Sequence, residues 1–64
     1  MNTKFMVGDQ VKIVKFEDAG KLAIVVDAHQ TQGYDMYPLY GDIQKKAWYS
    51  NDELELVYRP NYIK

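Results

Sequence analysis

Short apolar runs, separated by polar breaks that contain glycine, dominate the sequence, and the runs carry the period of β-strands. In residues 10–16 (QVKIVKF), Val11 and Ile13 alternate with Lys12, and the segment is rich in the β-branched and aromatic side chains that suit a pleated surface. A lead-in over residues 2–6 and a turn at residues 7–9 (VGD) precede it, with Gly8 supplying the backbone freedom. Residues 17–20 (EDAG) read as a loop. Residues 21–28 (KLAIVVDA) give the strongest strand signal. They are short, apolar and bounded by turn residues, and Gly20 together with the Val and Ile content favours a strand over a helix. Residues 29–33 (HQTQG) predict a polar hairpin loop. Residues 34–40 (YDMYPLY) alternate imperfectly, and Pro38, which has no backbone donor, predicts an edge position or a bulge. After a turn at Gly41-Asp42, residues 43–49 (IQKKAWY) predict a fourth strand. Ser50 and Glu53 have the spacing of a capping box, but too few residues follow for an α-helix, so one 3₁₀ turn is expected. Residues 54–58 (LELVY) predict a fifth strand, and residues 59–64 (RPNYIK) a tail.

The expected fold is therefore all-β: five short strands with one 3₁₀ turn before the last, in a small barrel or sandwich. A barrel closed by non-local pairing would also limit exposed edges. One domain is expected over residues 1–64, with its core in residues 5–58.

Composition narrows the function classes. A chain of 64 residues buries only about 60% of the surface exposed when unfolded, so its stability is marginal. There is no cysteine and a single histidine, His29, which leaves no disulfide framework and no thiolate metal site. The core must come from aliphatic and aromatic side chains or be completed by a partner chain. Hydrophobic residues at 47% and aromatic residues at 14% exclude a disordered chain. The longest apolar run, residues 22–26, is far shorter than the roughly 20 residues that cross a membrane. The N-terminus has no apolar segment of a signal peptide. A cytoplasmic protein is expected. Eight basic and nine acidic residues give a net charge of −1, without the basic excess of a dedicated nucleic-acid binder.

Three segments, in order, resemble the SH3-like small β-barrels that include KOW and Tudor-like domains. Residues 5–13 (FMVGDQVKI) resemble the F-x-V-G-D-x-V-x-I opening of their first strand. Residues 20–26 (GKLAIVV) resemble the second strand, with Ala23 where that pattern often has glycine. Residues 48–57 (WYSNDELELV) resemble the closing strand, 3₁₀ turn and final strand. The resemblance implies a five-stranded SH3-like barrel and a binding module. The chain is also similar in type to small stand-alone accessory proteins of bacteriophages, which would act in the host cytoplasm. The echoes of eukaryotic peptide-binding SH3 domains in Leu39-Tyr40-Gly41-Asp42 and Arg59-Pro60-Asn61-Tyr62-Ile63 stand in the wrong order and spacing for that groove.

Candidate chemistry is sparse. Ser50, the single serine, is read as a cap, His29 as a loop residue, and the acidic pairs Glu17-Asp18 and Asp52-Glu53 as solvated charge. Neither a nucleophile with its base nor a phosphate loop is evident, so no catalytic group, metal or cofactor is expected. The aromatic set Tyr34, Tyr37, Tyr40, Trp48 and Tyr49 is the candidate partner-binding surface, because clustered exposed aromatics mark interfaces. Trp48 and Tyr49, as strand neighbours, point to opposite faces, with Trp48 expected to pack over one end of the barrel. Tyr34 and Tyr40 share a face if Pro38 leaves the alternation intact. Lys12, Lys15, Lys45 and Lys46 are candidate nucleic-acid contacts. Arg59 and Tyr62 are placed in the tail, open to a partner chain. The expected function is non-catalytic binding of a host or virion protein. The alternatives are an RNA- or DNA-associated accessory domain and a structural homo-oligomer.

Overall fold

A computed structural model describes residues 3–43 and 48–60. Lys45, Lys46 and Tyr62 fall outside the described residues. Among the described residues six strands form in chain order: β1 (Gln10–Ile13), β2 (Leu22–Val25), β3 (His29–Thr31), β4 (Tyr34–Tyr40), β5 (Trp48–Ser50) and β6 (Leu54–Tyr58), with a 3₁₀ turn at Asn51–Glu53 between the last two. Every pairing is antiparallel. β6 pairs with β1, β1 with β2, and β2 with β4. β4 also takes β3 beside β2 and β5 on its other edge.

This corrects the expected five-stranded SH3-like barrel. The protein is all-β, but its six strands form one open sheet. Among the described residues, β5 pairs with β4 and β6 with β1. The 3₁₀ turn joins β5 to β6 in sequence, and no ladder closes the sheet between them.

Strand boundaries follow local backbone geometry. β1 ends at Ile13 and not at residue 16. Phe16 has a left-handed φ of 71°, and the Gly20 N–H returns to the Ile13 carbonyl at 2.7 Å. The expected strand over residues 21–28 is two strands. Val25 opposes Leu39 and His29 opposes Met36, so residues 26–28 face residues 37–38, three against two. That one-residue bulge ends β2 and starts β3. It also accounts for Pro38, which lies in interior strand β4. The Pro38 carbonyl accepts the Val26 N–H at 3.0 Å, so the missing proline N–H faces the break between β2 and β3, where no ladder bond is lost. The hairpin loop shrinks to Gln32-Gly33, whose φ values of 50° and 90° give a two-residue turn of the type that matches strand twist.

Alternation sorts the two faces. Val11 and Ile13 of β1, Ala23 and Val25 of β2, Tyr37 and Leu39 of β4, Tyr49 of β5 and Leu54 of β6 point inward, and Phe5 joins them from the lead-in. Tyr37 and Tyr49 are cross-strand partners. The Phe5 ring meets Tyr37 edge-on, with centroids 5.2 Å apart. Among the described residues, no helix is long and apolar enough to cross a membrane.

A candidate docking face

The five aromatic residues named as candidate partner-binding residues divide between the two faces of the sheet. Tyr37 and Tyr49 are fully buried and belong to the core, which removes them from a docking surface. Their hydroxyls are bonded inside. The Phe5 N–H donates to the Tyr37 oxygen at 3.2 Å, and the Tyr37 hydroxyl donates to Asn51 Oδ1 at 2.6 Å. Asp35 accepts from Asn51 Nδ2 at 3.1 Å and from Gln30 Nε2 at 3.1 Å. The Tyr49 hydroxyl donates to Asp18 Oδ2 at 3.4 Å, and Lys21 Nζ lies 3.2 Å from Asp18 Oδ1. Burial raises both tyrosine hydroxyls above their ordinary range, with the nearby Asp35 or Asp18 charge acting in the same direction. The Asn51 amide, followed by the Gln30 and Tyr37 bonds, holds the Asp35 carboxyl below the usual carboxylate range.

Asp18 is therefore a buried anchor and not solvated charge. Arg59 is likewise committed internally. Its Nε and Nη2 both reach the fully buried Asp9, at distances down to 2.7 Å, and Nη2 also donates to the Lys4 carbonyl at 3.1 Å. Burial alone would raise the Asp9 carboxyl, but the Arg59 bonds and the Met6 N–H outweigh it and hold the carboxyl low. The start of the expected tail is thus clamped to the lead-in, so Arg59 is not held open for a partner.

The other aromatics lie outside. Tyr34 and Tyr40 share the outer face of β4, with Met36 and Pro38 half-buried between them; Pro38 leaves the alternation intact. Tyr40 is 75% exposed and stands opposite Ile24 of β2. Trp48 is 43% exposed and stands opposite Pro38. It does not cap a barrel end. It meets the His29 ring, with centroids 4.9 Å apart, and His29 Nε2 lies 3.0 Å from Asp27 Oδ2. His29 is thus a strand residue on this face. Leu22, Ile24 and Val26 complete the surface, all exposed.

These three aliphatic residues were missed as site residues, although the sequence carries their signal. A strand buried on one face alternates apolar with polar, whereas residues 22–26 are apolar throughout. A continuous run puts apolar side chains on both faces. Here Ala23 and Val25 fill the core, while Leu22, Ile24 and Val26 remain outside.

The lysines do not converge. Lys15 Nζ pairs with Asp52 Oδ2 at 3.3 Å. Lys12 lies on the outer face between Glu55 of β6 and Leu22 of β2. Among the described residues no group of His, Cys, Asp and Glu is arranged to hold a metal. The described residues enclose no pocket. No family model, curated protein or solved structure matches this chain. The SH3-like assignment falls to the open sheet, and the bacteriophage type has no relative to rest on.

Proposed function

We propose that this protein is a non-catalytic module that docks another protein on the outer face of its sheet. One observation carries the reading: β2 is apolar on both faces, in a sheet whose outer face no described segment covers. Solvated antiparallel faces are normally polar, and a contiguous apolar patch bordered by polar residues is the usual mark of a protein interface. Tyr40 and Trp48 supply the rigid aromatic area that dominates such interfaces. The near-balanced charge and the pairing of Lys15 with Asp52 give nucleic-acid association less support. A cytoplasmic location remains part of the proposal, since a chain without cysteine depends on no oxidising compartment.

The test is affinity capture from a lysate of the source cells, with the wild type beside an Ile24→Ser/Tyr40→Ser variant and a Lys15→Ala control. A protein retained by the wild type and the control but lost with the double variant supports the reading. Equal retention by all three overturns it, as does no specific retention by any when the chain is also monomeric.

A further inference from the structure

We propose that the occupant of the outer face is a second copy of this chain, the two sheets packing face to face about a two-fold axis. The inference rests on the docking reading above and names its partner.

The area of the face is the first argument. Leu22, Ile24, Val26, Tyr34, Tyr40 and Trp48 are each between 36% and 75% exposed. Together they present on the order of 700 Å². Backbone and hydroxyl area included, that is of the order of the roughly 800 Å² that each partner contributes to a stable interface.

Charge is the second argument. A two-fold interface sets a surface against itself, so it must be self-complementary. None of these six side chains carries a formal charge, so no like charges meet at the centre. Each end of the face also carries charged side chains. Lys12 sits beside Leu22 at one end of β2, with Glu55 of β6 on its other side, and exposed Asp27, 3.0 Å from His29 Nε2, follows Val26 at the other. A two-fold axis crossing β2 at Ile24, at right angles to the strands, lays Leu22 over Val26 of the second copy. The same operation brings Lys12 toward Asp27 of the second copy. Sheets packed this way stand about 10 Å apart, with their strands roughly 30° from alignment.

The competing route to a dimer runs through the edge strand β6, and its geometry opposes it. Val11 opposes Leu56 while Gln10 opposes Tyr58, so Val57 is a bulged residue, and a bulge on an edge strand disrupts continuation of the sheet. The size of the core favours the face as well. The described residues bury only nine apolar side chains, and a face-to-face dimer adds a second apolar layer to a chain of marginal size.

Sedimentation equilibrium from about 10 µM to about 1 mM tests the inference. The expected mass rises with concentration from 7.5 kDa toward twice that value. Ile24→Ser/Tyr40→Ser should weaken association at least about tenfold, with the fold verified by circular dichroism. Lys12→Glu should also weaken association, and adding Asp27→Lys should restore it; this charge swap keeps the test decisive if the serine variant fails to fold. A chain that stays at 7.5 kDa throughout overturns the proposal. So does a dimer that survives the serine pair and the charge change but dissociates with Val57→Ser. A strictly monomeric chain whose outer face still captures another protein overturns the second copy while leaving the docking reading in place. A monomer without face-dependent capture removes both.

Discussion

At the scale of single residues, the tyrosines divide according to what their hydroxyls meet. Tyr37 buries its ring against Phe5 and places its oxygen among Asn51, Asp35 and the Phe5 N–H. Tyr40 stands opposite Ile24 on the outer face, three quarters exposed. The same side chain thus has opposite energetic weight at positions three apart in sequence. Tyr37→Phe deletes the acceptor of a buried N–H and should cost about 1–3 kcal/mol in urea denaturation. In the dilute monomer, Tyr40→Ser should change stability by no more than about 0.5 kcal/mol. A larger loss at Tyr40 than at Tyr37 would reverse this division. The sequence places Tyr34 and Tyr40 on one face through simple alternation. It does not mark Tyr37 as buried, because a tyrosine suits either side of a strand and its buried partners Phe5 and Asn51 come from distant segments.

At the scale of elements, β4 and the 3₁₀ turn were legible in full. Residues 34–40 and 54–58 form strands over the expected ranges. The 3₁₀ turn carries the Glu53 carboxylate on the Ser50 N–H at 3.0 Å. Both signals are local: alternation for the strands, and fixed spacing of serine and glutamate for the turn. The bulge between β2 and β3 was not legible, because it depends on how residues 26–28 meet Pro38 across the sheet. The local pattern alone therefore reads His29 as a loop residue. The turn that replaces that loop offers a direct measurement. Both Gln32 and Gly33 have positive φ, a conformation that asparagine tolerates better than glutamine. Gln32→Asn should stabilise the protein by a few tenths of a kcal/mol up to about 1 kcal/mol, read as a higher thermal midpoint. A lower midpoint would contradict the turn geometry.

At the scale of the whole molecule, buried carboxylates tie separate segments together. Asp9 links the lead-in to Arg59, Asp35 links β4 to β3 and the 3₁₀ turn, and Asp18 links the loop after β1 to Tyr49 of β5. Asp9 and Asp35 both titrate below their ordinary range when folded. Their stabilisation is therefore complete above the unfolded value of about 4 and is lost as pH falls through the lower folded values. The raised hydroxyls of Tyr37 and Tyr49 act at the other end, where stability is lost as pH climbs above about 10 and the unfolded tyrosines ionise. The thermal midpoint should hold a plateau between these limits and fall on both sides, and Asp9→Asn should flatten the acid fall. An acid limb unchanged by Asp9→Asn would show that this carboxylate contributes nothing to the pH response.

The same scale explains the failure of the barrel expectation. Strand order and local periodicity are written in short segments, whereas closure depends on whether the terminal strands meet, and no single motif encodes that. The outer face follows from the open sheet: apolar residues that a covering layer would bury are left on β2, β4 and β5. Hydroxyl-radical footprinting of the dilute protein, read residue by residue, tests this division most directly. The expected result is rapid labelling of Tyr34, Tyr40 and Trp48, with Tyr37, Tyr49 and Phe5 protected. Labelling of Tyr37 and Tyr49 as fast as Tyr40, or protection of Tyr40 and Trp48 at dilution, would contradict it.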